Sequence, residues 1–246
     1  MKKLLKDDLL KNGAGLMGYA DVQNLPHETR SNFPVAISIA VPLNPQIISG
    51  IIDGPTLAYW EEYQRANTLL ETLGNRAVTL LRTNGHQAKW LAPTIVATDP
   101  YTRTSVSYDP MTMSTLLPHK TAATLAGLGW IGKCALLVTR EFGSAVRITT
   151  VLTDADLPPA KPVEVSRCGS CFNCVDACPG KAISGKKWTA GITRETLFNA
   201  FACRKTAYEQ AARIGVHETI CGRCIVSCRQ TQIYLKKAGF PIRNKS

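Results

Sequence analysis

The sequence predicts an α+β fold in two consecutive parts, residues 1–160 and 161–246, and three observations predict it. The first part mixes strand-like apolar runs with segments of helical period. Eight of the nine cysteines fall between Cys168 and Cys228. Between the two parts lies Asp156 to Pro162, a stretch with three prolines that reads as a linker. Composition supports a globular chain: 45% of the 246 residues are hydrophobic and 19% charged, which excludes a solvated, disordered polymer. No apolar run approaches the roughly 20 residues of a membrane helix.

The elements follow in order. Leu4, Leu5, Leu9 and Leu10 recur at helical spacing over residues 2–11, and Asn12-Gly13 is a stop. The basic start MKKLL is interrupted at Lys6, Asp7 and Asp8, so it reads as an amphipathic helix and not as a secretory leader. VAISIAVP (35–42) reads as a buried strand, followed by a loop over 43–54. A long helix is expected from Pro55 to Asn84, with Tyr59, Tyr63, Ala66, Leu70, Leu73, Ala77 and Leu80 on one face and Asn84-Gly85 as its end. The aromatic group Tyr59, Trp60 and Tyr63 fits core packing better than a cofactor box. HQAKWL (86–91) is a further strand. Residues 97–117 lack a period, as a binding loop would. HKTAATLA is a short helix; CALLVT (134–139) and AVRITTVLTD (145–154) are strands. In the second part a helix is expected from Thr193 to Cys203, and another from Cys221 to Ala238.

The run CGSCFNCVDACP (168–179) has the spacing C-x2-C-x2-C-x3-C-P, which binds [4Fe–4S] clusters in bacterial ferredoxins. Three closely spaced thiolates reach three irons of one cube, and in two-cluster proteins the fourth ligates the other cube. The motif therefore asks for a second set, supplied by Cys203, Cys221, Cys224 and Cys228. The expected ligands are Cys168, Cys171, Cys174 and Cys228 for one cluster, and Cys178, Cys203, Cys221 and Cys224 for the other. The spacing differs from that of zinc ribbons, and a disulfide framework suits short secreted chains. Thiolate-bound clusters fit a reducing compartment, so the cytoplasm is the expected location. The ninth cysteine, Cys134, heads a strand and reads as a small buried hydrophobe, with a redox role as the alternative.

Charge follows the same division. Residues 161–246 hold 15 Lys and Arg against 5 Asp and Glu, nearly all of the net +11. Such a segment could meet nucleic acid, an acidic electron donor, or its own clusters, each an anion of about 2− with four thiolates.

LAGLGWIGK (125–133) places Gly127, Gly129 and Gly132 within six residues. Glycines let a chain turn tightly or let a group approach its backbone. G-x-G-x-x-G is the spacing of dinucleotide loops, but here it follows a helix and precedes a strand, the reverse of that order. A tight turn without a ligand is the plain alternative.

HKTAATLAGLGWIGK, then a strand pair with Gly143-Ser144 and VLTD (151–154), then the double cysteine set, resembles the epoxyqueuosine reductase family. The resemblance covers roughly residues 118–228 closely and the N-terminal half loosely. It implies a cobalamin-dependent enzyme: a nitroreductase-like α/β domain over 1–160 that binds the corrinoid, and a ferredoxin-like domain over 161–246 that feeds it electrons. In plan it is also similar to the catalytic core of reductive dehalogenases. The glycines of loop 127–133, which lies between the two parts, are expected to face that cofactor, with Gly127, Gly129, Trp130, Gly132 and Lys133 as candidate binding residues, and the resemblance implies a small-molecule or modified-nucleoside substrate. A low-potential donor such as ferredoxin or flavodoxin is expected, and no membrane. Flavin is the alternative cofactor, and an electron carrier or reductive activator of a corrinoid protein the alternative function. Candidate catalytic groups are Tyr101, Tyr108, Asp109 and His119, with Lys120 beside them.

The sequence departs from the family pattern at three places. The Asp-containing stretch before the glycine loop is replaced by MTMSTLLPHK, Cys134 stands where Asn or His is usual, and Cys228 precedes Arg229 instead of Pro. Family members also carry helical repeats after the clusters that help bind tRNA. Without them, tRNA binding is expected to be weak and steeply salt-dependent.

Overall fold

The computed structural model describes residues 1–92, 108–109 and 113–241. The chain divides into two compact units, each made of separate stretches. Residues 1–41, 67–128 and 147–163 form the first; residues 42–66, 129–146 and 164–246 form the second. The sequential boundary at 160 differs from this by two segments, 42–66 and 129–146, which group with the cysteines because their partners lie there.

In the first unit, α1 (Lys2–Lys11) buries Leu5 and Leu9. Its Asp8 pairs with Arg76, and that guanidinium holds the carboxyl below its usual range. A four-stranded sheet runs in the order β1 (Leu16–Asp21), β2 (Val35–Pro42), β8 (Val146–Thr153), β3 (Ala88–Leu91). β1 pairs antiparallel with β2, and β3 antiparallel with β8, with Trp90 opposite Val151. β2 is buried along almost its whole length, which is why it reads as a continuous apolar run. β1 was not expected from sequence: Gly18 interrupts its pattern. That glycine is needed, because a Cβ there would strike the Ala126 carbonyl at the end of α4 (His119–Leu125). Ala20, Val22, Ala36, Leu117, Ala122, Ala126 and Leu152 form the core under that helix.

The long helix α3 spans Leu57–Thr83, within the limits expected. Its buried stripe is Tyr59, Ala66, Leu70, Leu73, Ala77 and Leu81; Leu81 takes the place expected for Leu80. A Cβ at Gly74 would overlap the Trp90 indole, whose Nε1 donates to Thr149 Oγ1 at 2.9 Å. Two short pairs complete the strands: β4 (Tyr108–Asp109) with β5 (Ser114–Thr115), and β6 (Trp130–Ile131) with β7 (Leu137–Val138).

In the second unit the loop expected over 43–54 contains α2 (Pro45–Ser49). Asn44 caps it by accepting from Gln46 N, and Pro45 occupies its first turn, a legible signal that went unread. Glu62, 4% exposed, accepts from Asn44 N at 2.7 Å and from Arg65 Nε at 2.6 Å. The helix expected from Thr193 to Cys203 is two: α6 (Arg194–Leu197) and α7 (Ala200–Ala212). Phe198 between them is extended and bridges to Ile183, and the Asn199 side chain starts α7 by accepting from Ala202 N. Cys203 therefore stands in the first turn of α7 and not at a helix end. The last helix is likewise divided, into α8 (Arg223–Val226) and α9 (Arg229–Lys237), after the short α5 (Asn173–Asp176) earlier in the unit. Cys228 is extended at the break, so its thiol leaves the direction a continuous helix would give it. α9 packs on α2, with Tyr234 Oη donating to Leu43 O at 2.9 Å. No helix among the described residues is long and apolar enough to cross a membrane.

Candidate functional site

The glycine loop is built by backbone requirements. Gly127 has φ +72° and ends α4: its N–H reaches Thr124 O at 3.1 Å, and that of Leu128 reaches Ala123 O at 3.0 Å. This pair of bonds is a Schellman cap. In the second unit, a Cβ at Gly129 would overlap the Val138 carbonyl across the β6–β7 hairpin. A Cβ at Gly132 would lie 2.8 Å from Val138 Cγ2, 3.3 Å from Cys134 Sγ and 3.7 Å from Cys168 Sγ. The loop expected at a planar cofactor thus contributes Trp130, Gly132 and Lys133 to the wall of a cavity lined by thiols.

That cavity, about 70 Å³, is bordered by Cys168, Cys171, Cys174 and Cys228, with Cys134 alongside. Cys171 N–H bonds Cys168 O at 3.1 Å, closing a turn through Gly169 at φ +55°. Cys174 lies on α5 and is 8% exposed. Cys178 turns away after α5; its sulfur accepts from Ala182 N at 3.3 Å. Burial and then the charges of Cys178 and Cys221 push the Cys203 thiol up to about 11, so these three are neighbours. Burial raises Cys221 too, against the Arg223 N–H that bonds it. Cys228 is raised by burial, opposed by N–H groups of Thr231 and Gln230 and by the Ser144 hydroxyl, with the charge of Cys168 adding to the rise. Cys168 and Cys228 thus fall in one neighbourhood, and Cys178, Cys203 and Cys221 in another.

This grouping fits two cubes. No three Cys, His, Asp or Glu side chains among the described residues converge closely enough to hold one metal ion. A cube asks for wider spacing, since its four thiolates bind four different irons. The indole Nε1 of Trp130, which lines the cavity, is buried without a partner, as is Nε of Arg223 between Cys221 and Cys224. Buried donors are rarely left orphaned; Trp130 borders the cavity of four thiols, and the charge of Arg223 is felt by Cys221. The glycine run pointed to Trp130 and Lys133; Gly143-Ser144 was part of the resemblance with no role for the Ser144 hydroxyl, and nothing in the sequence marked the guanidinium of Arg223.

Cys134 is 4% exposed and packs with Cys174 and Ile183, against Cys178 and Cys224. Its bond to Cys174 favours the thiolate, but the bond to Cys224 and burial together push the thiol well above its ordinary range. It is hydrogen-bonded to one member of each expected ligand set, Cys174 and Cys224. Lys133, 2% exposed, donates from Nζ to Cys171 O at 2.8 Å and lies 3.5 Å over the Phe172 ring.

Among the candidate catalytic residues, Tyr101 lies outside the described residues, and of Tyr108 and Asp109 the backbone alone is described, in β4. His119 is in the first unit, at the start of α4. Its Nδ1 meets Thr150 Oγ1 at 2.9 Å and its Nε2 meets Ala92 O at 2.7 Å. The carbonyl can only accept, so Nε2 carries the proton and Nδ1 accepts from the hydroxyl. Burial lowers its pKa, the Ala92 bond opposes this, and Arg147 adds to the lowering. A folded value below the unfolded one means the unfolded chain binds more protons at acid pH. The stability His119 contributes is expected whole above pH of about 6.5 and lost as pH falls through the folded value. Thermal melts of wild type and His119→Gln between pH 7.5 and 5 test this; the wild type should lose more on acidification than the variant.

The fold and site describe a mixed α+β protein with thiols grouped for metal clusters. In sequence it is 31% identical over 161 residues to the epoxyqueuosine reductase of Salmonella typhimurium strain LT2, covering 64% of this chain and 38% of that protein. It is 40% identical over 99 residues to that of Gloeobacter violaceus, covering 40% of this chain and 30% of that one. In structure, an epoxyqueuosine reductase from Bacillus subtilis matches 94% of this chain and 65% of its own with a TM-score of 0.62 at 17% identity. A reductive dehalogenase described as informing B12-dependent dehalogenation matches 97% of this chain and 33% of its own, TM-score 0.66 at 16% identity. No family model matches. The chain is similar in sequence to epoxyqueuosine reductases and shares a fold with them and with reductive dehalogenases. It spans about a fifth to two fifths of the length of the curated relatives it matches.

Proposed function

We propose that the protein is an iron–sulfur reductase that holds two [4Fe–4S] clusters in a ferredoxin-like arrangement and passes electrons to a corrinoid on a nitroreductase-like part. The observation that carries this is the crossed grouping of the thiols: Cys228 with Cys168, and Cys178 with Cys203 and Cys221. Cys168, Cys171, Cys174 and Cys228 would hold one cube; Cys178, Cys203, Cys221 and Cys224 the other. Trp130 and Arg223 would give their N–H groups to cluster or ligand sulfur. Each cube stores one electron at a potential set by charge, hydrogen bonds and exposure. The corrinoid, when bound, supplies the nucleophilic or reductive chemistry. The corrinoid reading rests on the likeness to epoxyqueuosine reductases and on the shared fold, and Gly127 in the first unit remains a candidate to meet it. The substrate proposed is a small molecule or modified nucleoside, and the donor a low-potential ferredoxin or flavodoxin.

One structure of an epoxyqueuosine reductase carries a tRNA stem loop. For this chain we expect tRNA binding to be weak and to fall steeply with salt, as for a basic surface. A second reading, electron delivery to a separate corrinoid protein, is favoured by the absence of any acid in MTMSTLLPHK (111–120).

Anaerobically purified protein is expected to hold about eight iron and eight sulfide per chain. It should change its visible spectrum on titration with cobalamin but not with flavin mononucleotide. About four iron, or zinc in its place, overturns the two-cube assignment. Full cubes with no response to cobalamin leave the electron-carrier reading standing and remove the first one.

A further inference from the structure

Lys133 is among the largest fully buried side chains of the protein. A lysine this deep ordinarily has a carboxylate beside it, because a desolvated ammonium is costly. No carboxylate among the described residues pairs with this one; its Nζ has the Cys171 carbonyl at 2.8 Å and the face of Phe172 at 3.5 Å. The cavity it borders is walled by Cys168, Cys171, Cys174 and Cys228. The other cations of that wall, Arg167 and Arg229, are exposed, so water screens them. The buried positive charge therefore borders a cavity of four thiols and has no paired carboxylate among the described residues.

We propose that Lys133 is the counter-charge of the first cluster and holds its reduction potential up. This rests on the two-cube reading above. A cube with four thiolates is a dianion when oxidised, and the electron it accepts from a reductant makes it a trianion. A cation held nearby at low effective dielectric stabilises the trianion more than the dianion, so it favours uptake of the electron. The Cys171 carbonyl and the Phe172 ring fix the ammonium in place, so its charge cannot swing out to solvent. The side chain acts on the cluster through space and is not a ligand.

The test uses full-length protein with Lys133→Met, Lys133→Gln and Lys133→Arg, reading iron content and a potentiometric titration followed by electron paramagnetic resonance. Wild type comes first: without about eight iron the two-cube reading fails, independently of Lys133. With both cubes present, Met and Gln are expected to move one of the two reduction steps to more negative potential. The reduced-to-oxidised ratio at a fixed poise should fall at least tenfold, about 59 mV for a one-electron couple. The other step should stay, and Arg, which keeps the charge, should restore the wild-type value. Loss of one cube in Met and Gln but not in Arg would also support the counter-charge. Unchanged potentials in Met and Gln, or loss of the cube in all three variants, would overturn it.

Discussion

Cys178→Ser is expected to empty the distant cluster and spare the adjacent one. Cys178 follows Cys174 by one helical turn, and a reading by proximity would put both on the same cube. The proposed assignment parts them: Cys178 N–H closes on Val175 O, its sulfur accepts from Ala182 N, and its charge is felt by Cys203. Serine offers a hydroxyl in place of the thiolate that iron prefers, so one corner of the second cube loses its ligand. Iron should fall from about eight to about four per chain, and the spectrum of the remaining cube should match one component of the wild type. Cys228→Ser is the mirror experiment and should leave the other component. If both variants lose the same component, the crossed assignment is wrong.

Gly129→Val is expected to remove a cluster, although residue 129 carries no ligand. Its Cβ would overlap the Val138 carbonyl, and a carbonyl in a β-ladder cannot rotate away as a flexible side-chain tip can. Overpacking of this kind costs about 3 kcal/mol, or more when backbone must move. The hairpin it strains carries Trp130 and leads through Gly132 to Lys133 and Cys134, all on the wall of the first thiol cavity. Iron analysis of the variant should show partial or complete loss of the first cube, together with a lower melting temperature. Wild-type iron and stability would show that the hairpin tolerates the branch, and would return Gly129 to the reading in which its bareness serves a bound ring. Gly129→Ala separates the cases by degree, because it adds the first offending carbon alone.

The cysteines carried most of what the sequence revealed about the site. Their spacing is that of cluster-binding runs, in which one set of three thiols calls for a second set. The long helix was equally legible, since twenty-seven residues of helical period leave little room for another reading. What escaped has physical causes. β1 was hidden by Gly18, a residue present for a neighbour's carbonyl and not for strand propensity. The breaks at Phe198–Asn199 and Ser227–Cys228 leave no proline or glycine as a mark; they turn Cys203 and Cys228 toward their partners. Segments 42–66 and 129–146 join the cysteine-bearing unit through tertiary contacts that no local pattern announces. The three glycines stand out in the sequence, but a helix cap and two close approaches within a hairpin are set by partners that their own spacing does not name.

The crossed ligand sets proposed above would bear on how the protein is made. Cys168, Cys171 and Cys174 leave the ribosome together, yet the thiol that completes their set, Cys228, comes more than fifty residues later. At about 5–20 residues per second that is a wait of several seconds. Through it the nascent chain carries a three-thiol site with one corner open, while Cys178 waits in turn for Cys203, Cys221 and Cys224. Neither cube can be finished before the other's ligands have begun to appear. On that proposal iron delivery and the closing of this part of the chain are one event, and a cell short of iron should accumulate the protein with an unfinished C-terminal portion open to proteolysis.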